Sequence, residues 1–403
     1  MSCENCNDNC KTNNNIKKEL PPIVGGFLNL TQKCNLKCKY CFVVQQPKEM
    51  TYQVAKDAAD FFANNARKTK QVPSINFFGG EPLLKWDEII VPLTEYIRNQ
   101  YGKWYKLGVT TNGILLDEEK LEFMQKHNIG FLFSIDGNKK TQDLNRPYHN
   151  GKGSFDDLIN KIPMFLKYNP NLTFRATVDI DNVYDMANNY QFAIDMGYNN
   201  VFMVPNVFSE WNDELRNEMK NQLKLIAEIH AETVMSGKPV QFNQFSEAKK
   251  KIKQIESIKN SNNYRDTGSQ FPAFGRCGIG GTKFASVGMT GKLYSCQELV
   301  ENPELGDYFE IGNIYDGVDN KKRWNIINKF NPINIIRSDG KTCRDCSMNQ
   351  ICNGGCLINN YLATGDLEIM PSIICDFYQE CINQQKRIDN ELIGIPISQI
   401  KFS

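Results

Sequence analysis

Cys34, Cys38 and Cys41 lie in one short stretch, Thr31 to Phe42, with the spacing C-x3-C-x2-C just after a predicted strand. Three thiolates on one loop can hold three irons of a 4Fe–4S cube and leave the fourth iron open. An open iron can bind a substrate or cofactor, which a cube with four cysteine ligands cannot do. A zinc site would want a fourth protein ligand. No other Cys lies nearby, and none of His127, His149 and His230 has ligand spacing to this loop. A second cysteine group follows late in the chain: Cys277, then Gly291 and Cys296, then Cys343, Cys346, Cys352 and Cys356, then Cys375. Cys3, Cys6 and Cys10 also have ligand-like spacing and, with Cys381, could make a further site. A tail of reduced thiols is the simpler reading.

Composition narrows the setting. The chain has 403 residues, enough for one large domain and a smaller one, and 41% of them are hydrophobic, as a globular core requires. Lys+Arg 47 against Asp+Glu 46 leaves a net charge of +1, so charge gives no argument for nucleic acid or an anionic membrane as partner. No apolar run reaches membrane-spanning length, and the start Met1 to Cys6 is unlike a signal peptide. A cytoplasmic location is expected. In that reducing compartment fourteen cysteines read as metal ligands before disulfides.

The elements that must carry these residues alternate. Strands are expected at Ile23–Leu30, Ser74–Phe78, Lys106–Thr111, Ile129–Ile135, Asn171–Val178 and Asn200–Pro205. Helices are expected at Thr51–Ala66, Asp87–Gln100, Asp117–Lys126, Phe155–Tyr168, Val183–Met196 and Trp211–Ser236. Six strand–helix units in alternation argue for an α/β fold with a parallel sheet and outer helices. Residues 1–20 read as a flexible cysteine-containing arm, 21–240 as the α/β part, and 241–276 as a helix-and-loop linker. Residues 277–385 read as a small cysteine-rich domain of short hairpins and a closing helix, Phe377–Leu392, and 386–403 as a tail.

The cysteine loop is followed in order by Gly79-Gly80-Glu81-Pro82, Thr110-Thr111-Asn112-Gly113, Ser134-Ile135-Asp136-Gly137 and Asn145-Arg146. Together these resemble the signature of radical S-adenosylmethionine (radical SAM) enzymes. The later cysteine order closely resembles the SPASM domain attached to radical SAM enzymes that modify peptides and proteins. The two resemblances cover about residues 23–385. They imply a partial (β/α)6 TIM-like barrel followed by the SPASM domain, with S-adenosylmethionine and three 4Fe–4S clusters as cofactors. Cys34, Cys38 and Cys41 would hold the cluster that binds S-adenosylmethionine. Cys343, Cys346, Cys352 and Cys375 would hold a distal auxiliary cluster, and Cys277, Cys296 and Cys356 a proximal one with a vacancy that a substrate thiolate, or Cys381, could fill. Cys343 to Cys356 alone would suit a zinc ribbon, but the upstream pair Cys277 and Cys296 also fits the SPASM pattern. Tyr40 would lie along the adenine, and Gly79 and Gly80 would allow approach of the methionine ammonium with Glu81 beside it. Ser134 and Arg146 would meet the ribose and carboxylate, with Asn112 and Asp136 behind them. Arg175 could reach the barrel mouth or face outward. No catalytic side chain is assigned.

The resemblance implies that a 5′-deoxyadenosyl radical takes hydrogen from a ribosomally made precursor peptide. A Cys thioether cross-link is the expected product, and a carbon–carbon cross-link is the alternative. Anaerobic sulfatase-maturating enzymes share the architecture but carry an aspartate where this chain has Gln297, which cannot act as a carboxylate base. Only 33 residues precede Cys34, too few for the winged-helix module that many peptide maturases use, so a separate recognition protein is a candidate partner. Flavodoxin or ferredoxin is the expected electron donor. A non-enzymatic iron–sulfur carrier would have no use for the Gly79, Ser134 and Arg146 positions.

Overall fold

The computed structural model describes residues 19–259, 277–303, 305, 307–330, 334–343, 346, 352 and 354–392. Cys3, Cys6 and Cys10, the second half of the expected linker and the end of the expected tail lie outside the described residues. Leu20, expected in the arm, is buried against the core.

In chain order the first part runs β1 (Gly25–Thr31), α1 (Tyr52–Thr69), β2 (Ser74–Gly79), α2 (Val91–Tyr101), β3 (Lys106–Thr111), α3 (Glu118–Lys126) and β4 (Ile129–Phe133). It continues with α4 (Lys139–Asn145), α5 (Phe155–Ile159), α6 (Ile162–Tyr168), β5 (Thr173–Val178), α7 (Met186–Asp195), β6 (Asn200–Pro205), α8 (Asp213–Met235), β7 (Gln241–Phe242) and α9 (Asn243–Lys259). The alternation is the expected one. α1 shows why it works: Ala55, Ala58, Ala59, Phe62, Ala63 and Ala66 recur at helical spacing and are all buried, and the Thr51 side chain caps the start by accepting from Val54 N–H. The helix expected over Phe155–Tyr168 is two helices. Pro163 has no N–H to give to a carbonyl one turn back, so the chain restarts there.

β1 to β4 pair in sequence order, all parallel. The sheet then narrows to a single bridge between Ser134 and Arg175, with Ile135 N–H donating to the Arg175 carbonyl at 3.1 Å. Beyond it β5, β6 and β7 pair in parallel. The result is a partial barrel with its apolar core under the helices.

The second part comprises β8 (Phe284–Val287), β9 (Lys292–Tyr294), β10 (Glu310–Asn313), β11 (Gly317–Val318), α10 (Asn320–Lys329), β12 (Ile336–Arg337), α11 (Leu357–Thr364), β13 (Ile369–Met370) and α12 (Ser372–Arg387). β8 pairs in parallel with the free edge of β1, and β9 to β11 extend the sheet antiparallel, giving one sheet in the order β11-β10-β9-β8-β1-β2-β3-β4. The hairpins of the cysteine-rich part are therefore an extension of the barrel sheet. Glycine permits it: a side chain at Gly26 would place its Cβ 1.6 Å from the Ala285 carbonyl oxygen. The buried guanidinium of Arg323 adds a second tie, donating to the carbonyls of Pro21, Gly280 and Thr282. α12 packs on α8 and α9, helped by ion pairs from Arg216 to Asp376 and from Arg387 to Glu228.

Gly26→Val should separate β8 from β1 and lower stability by about 2 kcal/mol or more, read as a fall in the thermal midpoint. Gly130→Ala, at an exposed site with no atom closer than 4.0 Å, should not. His230 sits 2.8 Å from the Tyr190 hydroxyl, and burial pushes its pKa from 6.5 down to about 4. The unfolded chain therefore takes up a proton between these values that the native chain refuses. Stability should fall by about 3 kcal/mol as pH drops from 6.5 to about 4, with no further loss from this group below that. Denaturant titrations of His230→Phe should show this part of the profile flattened.

Candidate functional site

The cysteine loop leaves the end of β1 and is held from both sides by backbone. Gly80 N–H donates to the Thr31 carbonyl at 2.7 Å, and Glu81 N–H to the Lys33 carbonyl at 2.9 Å. On the other flank, Lys37 N–H donates to Pro147 and Lys39 N–H to Asn145, with Leu36 bridged to Tyr148. The Gly79-Gly80 pair is needed because these strands nearly touch. A Cβ at Gly80 would lie 2.2 Å from the Lys33 oxygen, and Gly79, at φ +133, faces the Thr31 oxygen at 2.3 Å. These glycines thus make a close approach to the cysteine loop, in addition to the approach to a ligand that the sequence leads one to expect.

Glu81 is fully buried and accepts from Leu83 N–H, Thr111 Oγ1 and Asn112 N–H at 2.8–3.0 Å. Burial pushes its pKa up to about 7, against three donors that favour the charged form. Through it the end of β2 fixes the end of β3. Asn112 in turn donates to Asn35 Oδ1 at 2.7 Å and lies 3.7 Å from Cys34 Sγ.

Asp136, just beyond β4, is the second hub. Its buried carboxylate pairs with Arg146 Nε at 3.1 Å and Nη2 at 3.2 Å. It also accepts from the Tyr40 hydroxyl, from Asn145 Nδ2 at 3.1 Å and from Thr177 N–H at 2.9 Å. The Arg146 guanidinium lies 5.4 Å from the Tyr40 ring centroid. Arg146 is therefore already engaged by a carboxylate of its own chain, and Tyr40 is pinned at its hydroxyl. α4 makes this possible by carrying Gln142, Asn145 and then Arg146 under the loop. It escaped the sequence reading because seven residues with one apolar position, Leu144, show no periodicity; only the Asn138 cap marks it.

One cavity of about 370 Å3 joins these parts. Cys34, Cys38, Cys41, Tyr40, Gly79, Gly80, Asn112, Ser134 and Arg146 all line it, while Glu81 and Asp136 stand behind as supports. Arg175 lines it too, so its side chain points into the mouth. From the second part come Gln297, Glu298 and Asn359. Gln297 was singled out in the sequence as the position where a carboxylate base is absent; Glu298 and Asn359 were missed, and a long-range sheet contact brings the Cys296 turn in. Burial pushes the Glu298 pKa up to about 7, with Arg175 pulling it back down. His149 Nε2 lies 2.9 Å from the Cys34 carbonyl oxygen.

The cysteines fall into three sets whose thiols influence one another: Cys34 with Cys38 and Cys41, Cys296 with Cys277 and Cys356, and Cys343 with Cys346, Cys352 and Cys375. Arg337 donates to Cys375 Sγ at 3.2 Å. Cys381 is buried on α12, and the charges bearing on it are Glu380, Glu247 and Lys251 rather than other cysteines. Among the described residues no group of three or more His, Cys, Asp or Glu is arranged for a single metal ion. Burial pushes Cys34 up to about 12 and Cys38 to about 11. Thiols raised in this way stay protonated at neutral pH in the absence of a bound cation, so the loop offers no free thiolate nucleophile.

The family model of the Radical SAM superfamily matches residues 28–192. An uncharacterized protein of Methanocaldococcus jannaschii is 32% identical over 158 residues, 39% of this chain and 52% of that protein, so the chain spans about half the length of this relative. A cysteine-type anaerobic sulfatase-maturating enzyme of Clostridium perfringens is 24% identical over 381 residues, 90% of this chain and 95% of the enzyme. Among solved structures, anSMEcpe with bound AdoMet and Cp18Cys peptide has a TM-score of 0.69 at 21% identity, covering 93% of this chain and 100% of that one. Streptococcus suis SuiB bound to precursor peptide SuiA has a TM-score of 0.56 at 16% identity, covering 88% and 76%. These likenesses in structure show the fold. No helix among the described residues is long and apolar enough to cross a membrane.

Gly80→Ala should push the cysteine loop off β2. A cluster on Cys34, Cys38 and Cys41, which the sequence leads one to expect, should then fail to form on anaerobic reconstitution, seen as a lower iron content per chain than in the native protein, with the far-UV spectrum unchanged.

Proposed function

We propose that this chain, whose residues 28–192 form a domain of the radical SAM superfamily, is an enzyme that oxidises a peptide or protein substrate and installs a thioether link from a substrate cysteine sulfur to carbon. The observation that carries this reading is the shared cavity, with Cys34, Cys38 and Cys41 on one wall and Gln297, Glu298 and Asn359 on another. A segment of substrate placed there would lie between the first cysteine set and the set of Cys277, Cys296 and Cys356. The peptide named in the anSMEcpe structure and the precursor peptide named in the SuiB structure support a peptide in that place.

In this reading Cys34, Cys38 and Cys41 hold the cluster that engages S-adenosylmethionine. Cys277, Cys296 and Cys356 hold one auxiliary cluster, and Cys343, Cys346, Cys352 and Cys375 the other. When bound, the first cluster and S-adenosylmethionine supply a carbon-centred radical able to take hydrogen from an unactivated C–H bond. The chain's part is placement. Asp136 keeps Arg146 and Tyr40 in fixed positions on the cavity wall, and Glu81 fixes Asn112 against the loop. Phe27, Phe42, Phe78 and Leu132 make the wall apolar and limit water. Only three cysteines make up the Cys296 set among the described residues, which favours a substrate that brings a thiol of its own. Flavodoxin or ferredoxin would deliver electrons, in a cytoplasm poor in oxygen, and a separate protein could present the peptide.

Sulfatase-type oxidation has one observation in its favour. Gln297 is not a carboxylate, but Glu298 beside it lines the same cavity with an unpartnered oxygen.

The test is anaerobic reconstitution with iron and sulfide, then reductant and S-adenosylmethionine, with a C34A/C38A/C41A variant alongside. 5′-Deoxyadenosine should form with the native chain only. Cysteine-containing peptides are then screened by mass spectrometry. A thioether product loses two hydrogens, keeps its sulfur and has no free thiol. A product that lost its sulfur would transfer the assignment to the sulfatase type, and modification of a Cys-to-Ala peptide at the same residue would exclude the thioether.

A further inference from the structure

Four residues on the cavity wall carry a buried polar atom without a hydrogen-bond partner. Arg146 Nε is compensated by its ion pair with Asp136, which leaves Arg175 Nη1, Glu298 Oε2 and Asn359 Oδ1. They come from three distant parts of the chain, namely β5, the turn after β9 and α11. None of the three is part of the hubs around Glu81 and Asp136; Glu298 and Asn359 adjoin the Cys296 set through their backbone N–H groups, which reach Cys296 and Cys356, and their side-chain oxygens are left over. Buried polar groups are ordinarily satisfied, so three orphans on one wall point to a ligand that completes them. The Arg175 guanidinium stacks 4.9 Å from the Phe202 ring centroid, which sets its plane. Among the described residues Arg175 and Glu298 form no ion pair, so a group can enter between them.

The chemistry of that group follows from the inventory. The three atoms are one NH2 donor group and two acceptor oxygens, so the ligand should offer an acceptor oxygen, able to take one or both N–H of Arg175 Nη1, and two donors close by. A primary carboxamide does so with its carbonyl oxygen and its NH2. A carboxylate has no donor and would face Glu298, an ammonium has nothing for Arg175 to bond, and a backbone amide has a single N–H. Leu132 on β4 and Val204 on β6, the strands on either side of β5, also line the cavity and suit the methylenes of such a side chain.

We propose that Arg175, Glu298 and Asn359 form a pocket that selects an Asn or Gln side chain of the substrate. This rests on the peptide-modifying reading above. In it the three residues hold the substrate in register while chemistry proceeds elsewhere in the cavity.

The experiment measures binding, without reductant, to iron-loaded protein saturated with S-adenosylmethionine. The probes are three tripeptides, N-acetylated and N-methylamidated, with Gln, Glu or Met between glycines, followed by equilibrium dialysis. The Gln probe should bind at least tenfold more tightly than the others. Arg175→Met and Asn359→Leu should each remove that preference, and Arg175→Lys should restore part of it. Thermal midpoints identify any variant that fails to fold, in which case Arg175→Lys is read against native protein. Equal binding of the Gln and Glu probes would overturn the pocket. So would binding that vanishes when S-adenosylmethionine is added, because the three groups would then belong to the cosubstrate's space. Peptide modification is scored separately. Selective Gln binding with no peptide ever modified would leave the pocket standing and sink the maturase reading; modification indifferent to Asn and Gln would do the reverse.

Discussion

β1 hydrogen-bonds to β2 along one edge and to β8 along the other, both in parallel register. The strand is buried along nearly its whole length, and at its end the chain becomes the cysteine loop. With both edges used, β1 cannot slide or twist without breaking two ladders, so the loop starts from a fixed point. Gly25 and Gly26 are what allow neighbours on both sides at this distance, with Ser74 on one side and Ala285 on the other. Arg323 reinforces the same junction by tying Pro21 to the chain around Gly280. The cavity exists because β1 brings the loop and the turn holding Gln297 and Glu298 to one end of a common sheet.

Around that fixed point two buried carboxylates divide the work. Glu81 couples the ends of β2 and β3 to the loop, and Asp136 couples the ends of β4 and β5 to Tyr40 and Arg146. Each accepts several hydrogen bonds, which is how a carboxylate is tolerated out of water. Neither faces the cavity, yet the side chains that do face it take their positions from these two.

Where the sequence was readable, the reason was local. The strands Lys106–Thr111 and Asn200–Pro205 fall where alternation and apolar runs put them, because a parallel strand is buried by its own helices. The radical SAM resemblance rested on residues that lie together at one end of the sheet, and the superfamily match agrees with it. What could not be read depended on partners far along the chain. Nothing in Phe284–Val287 announces pairing with β1, and Arg175 had two readings until β4 and β6 fixed its direction. The hold that Asp136, ten residues upstream, has on Nε and Nη2 of Arg146 was not legible either. α4 was lost because its signal is polar capping, with almost no apolar face.

The pairing of Gly25 with Phe284 also bears on how the molecule comes into being. The partial barrel can condense from neighbouring strand–helix units, but the second edge of β1 waits for a segment translated much later. Contacts so far apart in sequence are slow to form, and until they do an apolar strand edge stands open to any other chain. The cysteine loop grows from that same strand. Until the C-terminal part has docked, that loop springs from a strand paired along one edge only. The topology therefore sets an order for folding: chain completion first, docking of β8 second, and a fully fixed cysteine loop last.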